Sequence, residues 1–337
     1  MRFLRFILTA ALTLLSCAFP SHAVSTVTAT PPSAGQVPIL FLQIIDSANA
    51  TGGIIGRTLA VFPAPPVRRV TIRPDMATAF WSGDHRRVLS LGGRSLPATV
   101  RTYDSAQGRF GPPLDAVQAL ADPSVRYTLP LHDITETNAI DWSRDGRTLC
   151  YAQEKVGLVL FDLRRGTRQI LRNPFLAHHP VAALAFSPDG SRIAFSVEGQ
   201  DEFHEELFQD LWVIGRDGRG MHKLGHGTFP NWSPQGRFLL ATEGPADDGG
   251  RAILRYDTQT GTRRVLRLIP QPTEGDGYFA QARYSPDGQQ IAVFGPPNPR
   301  VPDDTALFLM DGQGKRLRIL ATRQQLDQSG IPTCLSW

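Results

Sequence analysis

Residues 186–190 read Phe186-Ser187-Pro188-Asp189-Gly190, and the return of this pattern along the chain decides the fold. Trp142-Ser143-Arg144-Asp145-Gly146, Trp232-Ser233-Pro234-Gln235-Gly236 and Tyr284-Ser285-Pro286-Asp287-Gly288 repeat it, and Trp81-Ser82-Gly83-Asp84 is a shorter copy. Leu335-Ser336-Trp337 supplies the first half of one more. Successive aromatic positions lie about 44 to 61 residues apart, a spacing that suits the blades of a propeller. Each copy has a physical reading. Pro presets φ for a tight turn, Asp bonds its own backbone, and Gly takes the left-handed position.

Working outward, an apolar strand such as Ala183-Leu184-Ala185-Phe186 enters each turn. Second strands leave it over 192–196, 238–242 and 290–294. Third strands ending in Asp are predicted over 158–162, 253–257 and 307–311. Fourth strands follow over 167–171, 263–266 and 317–320. Four short strands per unit, repeated radially, make a blade. Residues 39–44, 57–62 and 67–71 fit a second, third and fourth strand that lack a first, and residues 333–337 fit the missing one. Joining them closes the ring and removes two free edges. The expectation is therefore all-β: a six-bladed β-propeller of four-stranded blades spanning 39–337. Residues 112–123 are an insertion, with a short helix predicted over 115–121.

The aromatic-Ser-Pro-Asp-Gly repeat resembles that of the TolB-like (PD40, WD40-like) propellers, and it is similar to the propeller domains of prolyl-oligopeptidase-type serine peptidases. The resemblance covers nearly all of the chain after residue 38. It implies a periplasmic protein that binds other envelope proteins through its propeller. TolB itself carries an α/β domain before the propeller, and here the stretch before residue 39 reads only as a short leader. The peptidase relatives need a hydrolase domain, and the chain has no Gly-x-Ser-x-Gly nucleophile elbow and no zincin motif. Binding is therefore expected in place of peptidase activity.

The N-terminus reads as a targeting signal. Arg2 and Arg5 precede an apolar run from Phe6 to Leu15, too short for the ~20 residues of a membrane span. Ser21-His22-Ala23 offers small residues for cleavage after Ala23, so residues 1–23 are expected to be a signal peptide and 24–38 a flexible leader. Leu14-Leu15-Ser16-Cys17 also resembles a lipobox, which would place a lipid on Cys17 and make the chain an outer-membrane lipoprotein. Both readings export the chain to the periplasm or beyond. Without Arg2 and Arg5 the formal charge of +4 falls to about +2, too little for a nucleic-acid partner. Of the remaining cysteines, Cys150 and Cys334 fall two blades apart, and two free thiols are expected.

The loops between blades hold His132, His178, His179 and His226. Loops joining second to third strands hold Glu198, Asp201, Glu202, His204, Glu205, Glu206, Asp247, Asp248, Asp303 and Asp304. Blade geometry sends both sets to one face, where they would attract a basic segment of an envelope protein or peptide. His with carboxylates is also a metal-ligand set, and a metal-assisted hydrolase or lyase is the alternative. No His-Glu-x-x-His spacing supports it; His204-Glu205-Glu206 lacks the second His. Gly92-Gly93 and Gly249-Gly250 read as turns, because neither stands between a strand and a helix, and no cofactor is expected. A monomer is expected.

Overall fold

The computed structural model describes residues 39–46, 54–62, 68–72, 76–83, 85–92, 98–104, 107, 109–126, 139–200, 207–243, 251–269, 281–298, 306–322 and 332–336. The signal segment, the leader and Cys17 lie outside the described residues.

Strands β1 (Ile39–Asp46), β2 (Ile54–Phe62) and β3 (Arg68–Ile72) open the chain as an antiparallel meander. Next come β4 (Met76–Trp81), β5 (Arg87–Gly92), β6 (Thr99–Asp104), β7 (Arg109–Phe110), β8 (Leu114–Asp115) and helix α1 (Ala116–Leu120). The following sheet holds β9 (Ile140–Trp142), β10 (Thr148–Gln153), β11 (Gly157–Asp162) and β12 (Thr167–Leu171), and helix α2 (Pro174–His178) leads out of it. Strands β13 (Val181–Phe186), β14 (Arg192–Gln200), β15 (Leu207–Gly215) and β16 (His222–His226) make the next. Then come β17 (Thr228–Trp232), β18 (Phe238–Glu243), β19 (Arg251–Asp257) and β20 (Arg263–Ile269). Strands β21 (Gln281–Tyr284), β22 (Gln290–Gly295), β23 (Ala306–Asp311) and β24 (Arg318–Thr322) follow. Finally β25 (Pro332–Ser336) pairs with β1, setting Leu40 opposite Ser336 and Leu42 opposite Cys334. The architecture is an all-β propeller of antiparallel blades.

The expected six blades of four strands are corrected to five. The stretch from Met76 to Asp115 forms a five-stranded sheet instead, because its outer position is split. Strand β7 pairs with the end of β6 at Tyr103–Asp104, and β8 pairs with its start at Thr99–Val100. Between them stands Gly111-Pro112-Pro113, and two prolines without N–H groups cannot continue a ladder. Helix α1 follows directly, within the predicted 115–121, with Asp115 as its N-cap accepting from Gln118 N. Helix α2 was not anticipated. Its cap is Asn173, and Pro174 opens it.

The repeated turns work as the sequence implies, with one addition. In each, the buried serine hydroxyl accepts the N–H of the residue five places on: Arg87, Thr148, Arg192, Phe238 and Gln290, at 2.8–3.0 Å. Where Asp follows, the same hydroxyl donates to it at 2.6–2.7 Å. This bond from Ser187, with a second from Ser191, holds the Asp189 carboxyl down at about 2. Gly146, Gly190, Gly236 and Gly288 sit at φ 68–73°, where a Cβ would be strained.

The aromatic residue of each copy packs between sheets. Trp142 lies with Leu89 and Val100 of the preceding sheet, Phe186 with Cys150 and Leu160, Trp232 with Ala194 and Leu211, and Tyr284 with Leu240 and Ile253. Arg87 and Arg192 reinforce two of these contacts, with guanidiniums 6.0 and 4.6 Å from the Trp142 and Trp232 rings. Cys150 is a free thiol within this core, and burial pushes its pKa well up. Cys334 lies in β25, on another sheet.

Ser187→Ala strips the N–H of Arg192 and the Asp189 carboxylate of a partner, and should lower stability by about 1–3 kcal/mol in urea unfolding. A loss below 0.5 kcal/mol would show that the turn closes without its hydroxyl. Cys150 should stay unmodified by a thiol reagent until the fold is opened with denaturant, and labelling of native protein at that position would contradict its placement.

Candidate functional site

The first strand of every sheet faces the propeller axis. Their ends, with the aromatic-Ser turns, surround a half-open cavity of about 200 Å³. Phe80 and Trp81 come from β4, Ile140 to Trp142 from β9, and Ala183 to Phe186 from β13. Phe229 to Trp232 come from β17, Arg283 and Tyr284 from β21, and Ser336 from β25.

The position just before each aromatic does the polar work. Asp141 accepts from Trp142 N through Oδ1 and from Phe186 N, on the next sheet, through Oδ2, both at 2.8 Å. Asn231 Oδ1 accepts from Tyr284 N at 2.8 Å, and Ser336 Oγ accepts from Trp81 N at 3.3 Å. Three side chains of one register position thus each clasp the next sheet, joining the sheets at the axis in three pairs. At the intervening positions, the Ala185 carbonyl accepts from Trp232 Nε1 at 3.1 Å, and Arg283 contributes a guanidinium to the cavity wall.

Burial raises the Asp141 carboxyl to about 6, against the two backbone N–H groups and the Arg283 charge, which pull it down. Burial likewise lifts Tyr284 to about 12. Arg144 and His85 also line the cavity. Gly83 leaves room for Arg144, since a Cβ there would stand 2.0 Å from the Arg144 carbonyl oxygen. The shorter Trp81-Ser82-Gly83 copy makes sense at this contact.

Phe229 has φ 53°, a left-handed conformation that costs a bulky residue about 1–3 kcal/mol. It sits in a bulge, with Phe229 and Pro230 between the pairs Thr228–Thr242 and Asn231–Leu240. The bulge puts both residues on the cavity wall. The serines there are committed to structure: Ser82 Oγ donates to the Arg87 carbonyl, and Ser187 and Ser285 donate to their aspartates.

The residues singled out in the sequence lie elsewhere. His178 ends α2, and His179 caps it, with Nδ1 2.9 Å from the Phe175 carbonyl and its ring stacked on Phe175 at 4.1 Å. Glu198 accepts from Gln209 at 3.0 Å. His226 Nδ1 stands 3.2 Å from Asp210, which also pairs with Lys223 at 2.8 Å. The register brings Glu198, Asp210 and His226 to one end of the β13–β16 sheet, where Val181, just after His179, pairs with Val197. None of them lines the axial cavity. His132, Asp201, Glu202, His204, Glu205, Glu206, Asp247, Asp248, Asp303 and Asp304 lie outside the described residues. Among the described residues, no three His, Cys, Asp or Glu side chains gather as a metal site would require. A signal for the axial residues does exist: Asp141, Asn231 and Arg283 are polar interruptions at one repeat position of otherwise apolar strands.

Fold and site together define a β-propeller with a socket on its axis, lined by both polar and apolar side chains. No family model matches the sequence, and no curated protein matches it. Solved structures do. TolB from Acinetobacter baumannii superposes with a TM-score of 0.58 at 13% identity, over 89% of this chain and 66% of that one. A candidate TolB from Agrobacterium tumefaciens gives 0.51 at 16%, over 86% and 90%. An oligogalacturonate lyase from Vibrio parahaemolyticus gives 0.53 at 12%, over 86% and 83%. At such identities the likeness is one of fold. The chain spans 66% of the Acinetobacter protein's length.

A carboxyl raised in the folded state binds its proton more tightly there than in the unfolded chain. Asp141 therefore adds stability at low pH and loses it as pH climbs from about 4 through about 6. Asp189 acts in the opposite sense, its contribution disappearing as pH falls from 3.8 toward about 2. Thermal melts of the native protein and Asp141→Asn at pH 4, 5, 6 and 7 should diverge through this window, with the variant gaining relative to the native chain as pH rises. Parallel curves would mean that Asp141 titrates normally.

Proposed function

We propose that this chain is an exported envelope protein that works by binding, and that its axial cavity is a socket for one group of a partner. The observation that carries this reading is the cavity itself. It lies on the axis, sets a few charged and polar groups among aromatic and aliphatic side chains, and has a volume of about 200 Å³, smaller than the ~300–1,000 Å³ of sites that enclose a whole small molecule. That space suits a single inserted side chain or chain end. The charges of Asp141, Arg144 and Arg283 give it polarity in two senses, and the serines beside them are held in turns, not poised for attack. The fold likeness to TolB supports an envelope role, with residues 1–23 as signal, 24–38 as leader, or Cys17 as a lipid anchor. The end carrying His178, His179, Glu198 and His226 would be a second contact surface, for a basic partner segment.

The test is capture from envelope extract. Arg283→Glu should reduce capture of the partner at least about tenfold while the melting curve stays cooperative, since a reversed charge in a confined site repels what the original attracted. Capture unchanged by Arg283→Glu and lost on changing Glu202, Glu205 and Glu206 to Lys would move the site to the other face. A stoichiometric divalent ion in the purified protein would overturn the binding reading in favour of a metal-assisted lyase or hydrolase.

A further inference from the structure

Four of the five large hydrophobic side chains exposed among the described residues lie on the outer edge of two neighbouring sheets. Val265 (44% exposed) and Leu268 (68%) are on β20, Leu317 (41%) just precedes β24, and Ile319 (50%) lies within it. The outer strands β12 and β16 expose none. Between the aliphatic side chains stand exposed cations: Arg263, Arg264, Lys315, Arg316 and Arg318. Glu243 takes Arg263 at 2.9 Å, and Asp311 attracts Lys315 and Arg316, so positive charge remains in excess among the described residues. Arg264 bonds Gln313 across the gap at 2.7 Å, which makes the two edges one continuous surface.

Solvent gives no reason for Leu268 or Ile319 to stand in water on strands that carry no acidic residue. A second copy of the chain is disfavoured, because it would set Arg264, Lys315, Arg316 and Arg318 against their own images. Among the described residues this edge holds arginines but no aromatic side chain, so a rigid protein partner would meet only part of the anchor set typical of such contacts. Separate aliphatic side chains among cations suit a deformable anionic surface, where apolar burial and charge attraction add. We propose that the outer rim formed by β20 and β24 docks on anionic lipid, with Leu268 and Ile319 at the headgroup boundary and Lys315, Arg316 and Arg318 against the phosphates.

Co-sedimentation of the full chain with vesicles tests this. Binding should be strong to vesicles containing phosphatidylglycerol, weak to phosphatidylcholine alone, and should decline as salt rises. Arg316→Glu with Arg318→Glu should lower the phosphatidylglycerol-dependent part at least about tenfold. Leu268→Ser with Ile319→Ser should lower it several-fold at every salt concentration. All four positions are exposed, and circular dichroism should confirm that the variants fold. Equal binding to both vesicle types, no binding to phosphatidylglycerol at low salt, or native-like binding by both variants would overturn the proposal. An acidic protein would then become the occupant to seek.

Discussion

Between the innermost strand and the next, a buried serine hydroxyl accepts the N–H of the residue five places on, and the rest of the propeller depends on this bond. It recurs from Ser82 to Ser285 with little variation in length. By closing the turn tightly, it sets where the first strand stops and where the aromatic residue beside it must point. That ring then fills the wedge against the preceding sheet, as Trp232 does among Ala194, Leu211 and Leu254. A buried hydroxyl left unpaired costs about 1–3 kcal/mol, so these serines are held to one rotamer as firmly as the aromatic side chains are held by packing.

From the same turn, one step back along the strand, comes the axial chemistry. A side chain before the aromatic must face the axis, because neighbours alternate on a strand. Asp141, Asn231 and Ser336 use that position to hold the backbone of the next sheet. They therefore join two roles: they tie sheets together where the ring is narrowest, and they set polar groups into a wall that is otherwise largely aromatic and aliphatic. The strained Phe229 belongs to the same wall and follows Thr228, whose hydroxyl is hydrogen-bonded to Ser196 at 2.9 Å.

The propeller was legible in the sequence because its signals are local and repeated. A five-residue turn with its aromatic can be recognised without knowing what it touches. The pairing of β25 with β1 was legible as a deficit, since three strands lacked a fourth at one end and one strand stood alone at the other. The split outer edge of β6 was harder to foresee, although Pro112 and Pro113 announce that no ordinary strand passes there. The axial site escaped for a different reason. Asp141 and Arg283 are far apart along the chain and meet only because the ring closes, whereas the histidines and acidic loops drew notice through composition alone. Composition identifies what is exposed; it says little about what converges.

The pairing of β25 with β1 has a consequence for how the ring comes to exist. Until residues 332–336 dock, β1 presents an open ladder edge, and the axial wall lacks Ser336, the acceptor for Trp81 N. Almost the whole length of chain lies between those two strands, so closing this seam is among the least local events in the molecule and should come late. A chain halted before that step would hold most of its sheets and still carry one adhesive edge. Residues 332–336 act as a latch, and a partly made molecule is exposed to stray pairing until the latch falls.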